Sequence, residues 1–324
     1  MGNANYHHPL KLVSTGSHPE LAEEVARYLG VELVPTDDRV FACGELYNKP
    51  METVRGCDVY VITTATENVN HDMMELFILL DALKRSFAYT IHVVMPHFAY
   101  SRQDRVASPR EPISAKLMAD LIETAGADHV VTLRLHSDQI QGFFNFPVDN
   151  LAAERLFINY FKAKELENMV VVSPDAGGAK AAKKFADSLG AELAIVHKHR
   201  PGHNVSEVMN IVGEVEGKTC ILYDDMIDTA GSVTAAKKAL DSAGANSDVY
   251  LVATHPVFSG SAVERLTEAK LKEVVVTNSI PIPEEKKFPG LKVISVGELL
   301  ADVITNVHDA RSLTEVMRGE NKRK

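Results

Sequence analysis

The stretch GKTCILYDDMIDTAGSVTAAKKAL, residues 217–240, decides how this chain is read. Gly217 sits at a turn, and residues 220–223 form a short apolar run of the kind that makes a buried strand. From 232 to 243 the apolar residues recur with the helical period. The segment between is polar. Strand, tight loop and helix make one βα unit, and open α/β sheets bind ligands beyond the carboxyl ends of their strands. Gly231 permits a tight turn, while Thr229 and Ser232, either side of Ala230 and Gly231, offer hydroxyl donors. The start of the following helix presents unpaired N–H groups, so a monophosphate fits this loop. Yet Asp224, Asp225 and Asp228 bring three carboxylates to the same place.

Asp224 and Asp225 are adjacent at the strand end, so they point to opposite sides. A carboxylate accepts two hydrogen bonds side by side, which matches a vicinal diol, and it also coordinates Mg²⁺. A ligand with a phosphate at one end and a diol at the other, such as ribose 5-phosphate, needs both features together. A second reading stays open: Asp228 caps the helix, with two solvated acids beside it. The chain contains no G-x-x-x-x-G-K-[ST] segment, so a nucleotide is not held by a Walker A loop.

Working outward, the same alternation recurs. Strands are expected at 10–14, 58–63, 90–95, 129–134, 169–173, 192–196, 219–223, 248–253, 273–276 and 292–295. Helices are expected at 18–29, 71–85, 113–125, 150–163, 178–189, 232–243, 260–268 and 297–306, several stopping at a glycine such as Gly30, Gly126, Gly190 or Gly244. This is an α/β pattern with mainly parallel sheets flanked by helices. The 324 residues exceed what one core usually supports. Residues 55–85 also echo 216–243, each a turn, a strand, a polar loop and a helix. Two similar domains are therefore expected, 1–150 and 151–302, with a C-terminal helix at 303–324 joining the first.

Composition excludes several classes. The net charge of −10, without a basic aromatic patch, argues against a nucleic-acid surface. No apolar run approaches the roughly 20 residues of a membrane span, and no secretory signal is read. Three cysteines, Cys43, Cys57 and Cys220, have no metal-ligand spacing and fit a reducing, cytoplasmic setting.

Other segments carry chemistry. In SPDAGG (173–178), Gly177 and Gly178 flank an anion nest beside Asp175 and Ala176; a capped turn is the alternative. His136 ends the strand VVTLRLH. The basic segment HKHRPGHN (197–204), read between a strand and a helix, is either a solvated loop or a flap that brings Lys198 and Arg200 to phosphates.

The segment YDDMIDTAGS resembles the phosphoribosyl diphosphate loop of type I phosphoribosyltransferase folds. Eight further segments, in order, extend the resemblance to the ribose-phosphate diphosphokinase family: RGCDVY, MELFILLDALKRS, YSRQDR, REPISAKLMADLIETAGAD, LHSDQIQGFF, VVSPDAGG, NVSEVMNIVGEVEGK and VVVTNSI. The resemblance implies two phosphoribosyltransferase-like domains and Mg²⁺-dependent transfer of the diphosphoryl group of ATP to ribose 5-phosphate. It implies that Asp224, Asp225, Asp228, Thr229, Ala230, Gly231 and Ser232 bind the sugar phosphate. It assigns the diphosphate to Asp175, Ala176, Gly177 and Gly178, and the metal to His136 and Asp175. Lys198 and Arg200 become catalytic. Phe41, Cys43, Glu45, Arg102, Gln103 and His136 become the ATP site. A regulatory site would draw on Thr53, Arg55 and Arg110. The family forms homo-oligomers built from dimers, up to hexamers.

Three positions depart from the family pattern. Cys43 stands where an Asp reads the adenine amino group, and Val106 and Ser108 stand where Lys or Arg is frequent. These keep open a non-catalytic regulatory homologue; a nucleobase phosphoribosyltransferase is the other rival.

Overall fold

The computed structural model describes residues 8–199 and 208–318. The chain opens with β1 (Leu10–Ser14), α1 (Pro19–Leu29), β2 (Thr36–Val40), β3 (Leu46–Pro50), β4 (Asp58–Ile62) and α2 (Val69–Arg85). Then come β5 (Thr90–Val94), α3 (Ser114–Ala125), β6 (His129–Leu133), β7 (Val148–Leu151), α4 (Glu154–Lys162), β8 (Met169–Ser173), α5 (Ala179–Leu189) and β9 (Glu192–His199). The rest is β10 (Val208–Val212), β11 (Thr219–Ile227), α6 (Gly231–Ser242), β12 (Tyr250–Pro256), α7 (Ala262–Glu268), β13 (Glu273–Thr277), β14 (Leu291–Ile294), α8 (Gly297–His308) and α9 (Leu313–Arg318).

These elements form two compact units. One holds the described residues through Ala152, Ser279–Pro281 and those from Ser295 onward; the other holds Ala153–Asn278 and Ile282–Ile294. The sequence division assigned 279–281 and 295–302 differently. Within the first unit, Ser279 O accepts from Thr64 Oγ1 at 2.7 Å and Ser295 Oγ donates to Glu24 Oε1 at 2.7 Å. A Cβ added at Gly297, where α8 begins, would fall 2.5 Å from Glu24 Cδ, so α8 packs hard on α1.

In the first unit, five parallel strands run in the order β1-β4-β5-β6-β7. Side chains alternate across the sheet. Val59, Val61, Ile91, Val93 and Val130 face a core closed by Leu76, Leu79, Leu80 and Leu83 of α2 and by Ala115, Met118 and Ile122 of α3. The opposite face carries a chain of polar groups near the amino ends of the strands. Thr90 Oγ1 donates to Asp58 Oδ1 and contacts His92 Nε2 at 2.9 Å; His92 Nδ1 meets His129 Nδ1 at 3.1 Å; His129 Nε2 donates to Asp149 Oδ2 at 3.0 Å.

Burial, followed by the neighbouring His129, pushes His92 down to about 4; His308 acts the same way, while Asp58 opposes it. An unfolded histidine takes a proton near 6.5, so between pH 6.5 and 4 the unfolded chain binds more protons than the folded one. Stability therefore falls with pH across that window, by up to about 3 kcal/mol from this group. Urea midpoints measured against pH check this: His92→Gln should flatten the slope between pH 6.5 and 4. An unchanged slope would remove His92 as its source.

The second unit has seven strands in the order β10-β9-β8-β11-β12-β13-β14, all parallel except β10, which is antiparallel to β9. Helices cover both faces. Val172, Leu222, Leu251 and Val276 pack against Val233, Ala236 and Leu240 of α6 and Leu266 of α7. Val171, Ile221, Tyr223 and Val252 pack against Phe157 and Phe161 of α4 and Phe185 of α5. Burying each of these side chains contributes roughly 1.5–3 kcal/mol. Two covered faces explain why the strands read as continuous apolar runs rather than as alternation.

Five elements depart from the sequence expectation. β2 (TDDRV) is polar and mostly exposed, β3 (LYNKP) is half-buried with Asn48 buried, and the two pair as an antiparallel ribbon on cross-strand contacts such as Arg39 over the Tyr47 ring at 5.0 Å. β7 takes residues expected to begin a helix, because Val148–Leu151 pair with β6, and α4 starts only at Glu154. β10 takes residues with no expected element, and α9 follows α8 as a separate short helix.

Candidate active site

Parallel strands place the loops after β8, β11 and β12, and the end of β9, along one carboxyl edge of the second unit. Most of the expected sugar-phosphate residues gather there. β11 runs on to Ile227, past the expected end at 223, so Asp224 and Asp225 lie within the strand, and Asp224 is in register with Ala253 of β12. Both acids are half-buried. Asp224 Oδ1 accepts from the Asp225 N–H at 2.9 Å. Burial, then the Asp225 carboxylate and more weakly Asp175, push the Asp224 carboxyl up to about 8.

The chain then turns through residues 228–230 into α6. The N-cap of α6 is Ala230, in the left-handed conformation (φ 59°), and no side chain caps the helix. The reading of Asp228 as an N-cap is thereby corrected: a left-handed turn intervenes between it and the helix. Every carbonyl from 227 to 231 is engaged away from the loop's amides. Ile227 O accepts from Phe258 N (2.9 Å), Asp228 O from Ser259 N (3.0 Å) and Thr229 O from Arg265 Nη1 (2.9 Å). Ala230 O accepts from Thr234 N and Oγ1, and Gly231 O from Thr234 Oγ1. Among the described residues nothing accepts from the N–H groups of Thr229, Ala230, Gly231 or Ser232. These donors at a helix start form an anion seat.

In the turn after the neighbouring strand β8, Asp175 Oδ1 accepts from Gly178 N at 3.0 Å and Asp175 O accepts from Ser173 Oγ at 2.7 Å. The capped turn is thus present, with Asp175 and Ala176 exposed. A Cβ at Gly178 would fall 2.9 Å from Ser173 Oγ, and one at Gly177 3.2 Å from Asp175 Oδ1, so a side chain at either position would crowd the groups that cap the turn. The backbone of Lys198 lies in β9, opposite Met209 of β10. The basic segment therefore leads from a strand to a strand, not to a helix, because β9 extends past 196 by pairing with β10. The Lys198 side chain and Arg200 fall outside the described residues.

The first unit holds the remaining candidates. Phe41, Cys43 and Glu45 form the exposed tip of the β2–β3 ribbon, closed by hydrogen bonds from Phe41 N to Glu45 O and from Gly44 N to Phe41 O, both 2.8 Å. Arg102 and Gln103 follow β5; Gln103 Oε1 accepts from Ser114 Oγ at 2.6 Å. His136 follows β6 and is exposed. Thr53 and Arg55 instead precede β4, on the opposite edge of the sheet, where the Arg55 guanidinium lies 5.3 Å over the Phe87 ring. Arg110 adopts φ 74° in the loop before α3.

Among the described residues no three His, Cys, Asp or Glu side chains converge to hold a metal ion. The crowded carboxyls of the second unit, Asp224, Asp225 and Asp175, are hard oxygen donors. They fit Mg²⁺ in its usual mode, in which few protein oxygens suffice because water and phosphate complete the shell.

A family model described as the N-terminal domain of ribose phosphate pyrophosphokinase matches residues 10–126, and one described as phosphoribosyl synthetase-associated domain matches 201–318. Ribose-phosphate pyrophosphokinase of Bacillus subtilis (strain 168) is 52% identical over 305 residues, 94% of this chain and 96% of that protein. The chain belongs to the ribose-phosphate pyrophosphokinase family. Ribose-phosphate pyrophosphokinase 1 of Listeria monocytogenes is 50% identical over 98% of this chain and 99% of that protein. The crystal structure of phosphoribosylpyrophosphate synthetase from Mycobacterium smegmatis superposes with TM-score 0.89 at 46% identity, covering 93% of this chain and 99% of that one. The resemblance read from the ordered segments is borne out, as is the α/β class with helix-flanked parallel sheets.

Proposed function

We propose that this chain catalyses the pyrophosphokinase reaction: transfer of the β,γ-diphosphoryl group of ATP to the anomeric hydroxyl of ribose 5-phosphate, giving AMP and 5-phosphoribosyl 1-diphosphate. One observation carries the reading. Residues 227–231 turn every carbonyl outward and leave consecutive N–H donors together, beside two carboxyls that suit a sugar diol. The loop takes the 5-phosphate on the amides and hydroxyls of 229–232, and Asp224 and Asp225 take the ring hydroxyls. Asp228 orders the turn.

The anomeric hydroxyl oxygen attacks the β-phosphorus and gives its proton to solvent as the bond between that phosphorus and the bridging α-phosphate oxygen breaks, and AMP leaves with that oxygen. The nucleophile belongs to the substrate, so the protein's task is positioning and charge. The glycine-lined turn at 175–178 receives the diphosphate. Lys198 and Arg200 meet the charge that develops on it. In the first unit, Phe41, Cys43, Glu45, Arg102, Gln103 and His136 bind ATP; Thr53, Arg55 and Arg110 serve a regulatory anion. Asp175 would hold Mg²⁺ in the second unit, and His136 is the metal candidate of the first; the ion would neutralise phosphate charge when bound. The two units correspond to two phosphoribosyltransferase-like domains.

An exposed apolar row at helical spacing, Ile113, Leu117 and Leu121, supports a homo-oligomer built from dimers. Three unpaired cysteines support the cytoplasm. Among the described residues no helix is long and apolar enough to cross a membrane. The test supplies ATP, Mg²⁺ and ribose 5-phosphate and follows AMP and phosphoribosyl diphosphate together. The two should appear in equal amounts; no AMP across a range of phosphate and metal concentrations would sink the reading.

A further inference from the structure

The carbonyl of Thr229 is the pivot of the anion loop. Ile227 O and Asp228 O are held by backbone N–H groups of Phe258 and Ser259, and Ala230 O and Gly231 O by Thr234. Thr229 O alone depends on a distant side chain, Arg265 of α7, 36 residues away, at 2.9 Å. The next residue, Ala230, is left-handed without being glycine, a conformation that costs on the order of 1 kcal/mol and persists only where its surroundings enforce it. Were Thr229 O unheld, the 229–230 peptide could rotate, relaxing Ala230 and swinging a carbonyl toward the phosphate.

Arg265 is also a cation at the seat. Its Nη1 lies 3.7 Å from where a Cβ on Gly231 would stand, and no other hydrogen bond or ion pair of its guanidinium forms among the described residues. A guanidinium has five N–H donors in a fixed fork, and one suffices for Thr229. The side chain is exposed, so it is not there to fill a core.

We propose that Arg265 is a positioning residue for the 5-phosphate of the acceptor sugar: it fixes the Thr229 carbonyl away from the ligand and adds positive charge beside the loop. This rests on the reading of 229–232 as the ribose 5-phosphate seat. Holding a loop that binds the acceptor, and not the diphosphate under transfer, Arg265 acts on acceptor affinity.

The test uses the full-length protein. Arg265→Ala should raise KM for ribose 5-phosphate by roughly 10- to 100-fold, the range expected on losing a charged hydrogen-bond donor, with kcat at saturating sugar phosphate and KM for ATP within about threefold of wild type. Arg265→Lys, which keeps a charge and a donor, should recover most of the affinity. Calorimetric titration without ATP separates the two levels of failure. If the wild-type protein does not bind ribose 5-phosphate, the reading of the seat falls and this inference falls with it. If wild type binds and Arg265→Ala binds equally well, only the role of Arg265 is overturned. Equal loss of KM and kcat together with a lowered melting temperature in both variants would also overturn it, as the mark of a merely structural residue.

Discussion

Asp224→Asn is expected to stabilise the ligand-free protein while weakening ribose 5-phosphate binding about 100-fold. In the unfolded chain this carboxyl ionises near 3.8, whereas in the folded chain burial and Asp225 hold it protonated up to about 8. A folded acid with a raised pKa destabilises progressively as pH rises from about 4 to about 8, after which the penalty is constant. Asparagine cannot ionise, so the gain should be near zero at pH 4 and on the order of 5 kcal/mol at pH 8. Melting curves at both pH values read this as a shift on the order of 5–10 °C at pH 8. Measured above pH 8, where Asp224 is ionised, the binding loss follows from removing a charged acceptor that two hydroxyls share, each charged bond contributing about 1.5–3 kcal/mol. A melting difference independent of pH would show that Asp224 is not held out of its ordinary range. Wild-type affinity for the sugar phosphate would remove it from the acceptor seat. Stability surrendered at a binding site is a common pattern, and here its source is the crowding of two adjacent carboxyls on one strand.

Lys198→Ala should lower kcat by roughly 100- to 1,000-fold, the scale of removing one preorganised donor from developing charge. KM for ribose 5-phosphate should stay within about threefold, because the acceptor seat lies in a different loop. The strand β9 carries Lys198 to the carboxyl edge shared by Asp175 and the 228–230 turn, and pairing with β10 fixes its backbone. Single-turnover kinetics isolate the chemical step; an unchanged rate there would take Lys198 out of the mechanism. The contrast with Arg265→Ala, which should act on KM, is itself informative, since cations at opposite ends of the acceptor would divide binding from chemistry.

Much of the site was legible before any fold was known because its parts are local. A strand, two acids, a tight turn and a helix start occupy residues 219–232 without interruption, and their chemistry follows from residue type and spacing; the structure puts the left-handed residue of that turn at Ala230 rather than at Gly231. The same holds for the turn at 173–178, where two glycines and an acid dictate the backbone path. Expected elements went astray where pairing overrides local preference. The polar β2–β3 ribbon exists through cross-strand contacts, residues 148–151 became a strand by pairing with β6, and 208–212 by pairing with β9.

The sequence by itself thus determined the α/β class and the family, and it supplied the residues proposed for the acceptor loop, since each is written in short contiguous segments. Only the tertiary structure decided how that loop is set. It removed Asp228 from the helix cap, brought Phe258, Ser259 and Arg265 from some thirty residues away to hold the carbonyls, and buried Asp224 against a second charge. Hydrogen bonds between distant segments and the desolvation of a carboxyl depend on what the fold packs around a residue, and no local pattern of residue types encodes that.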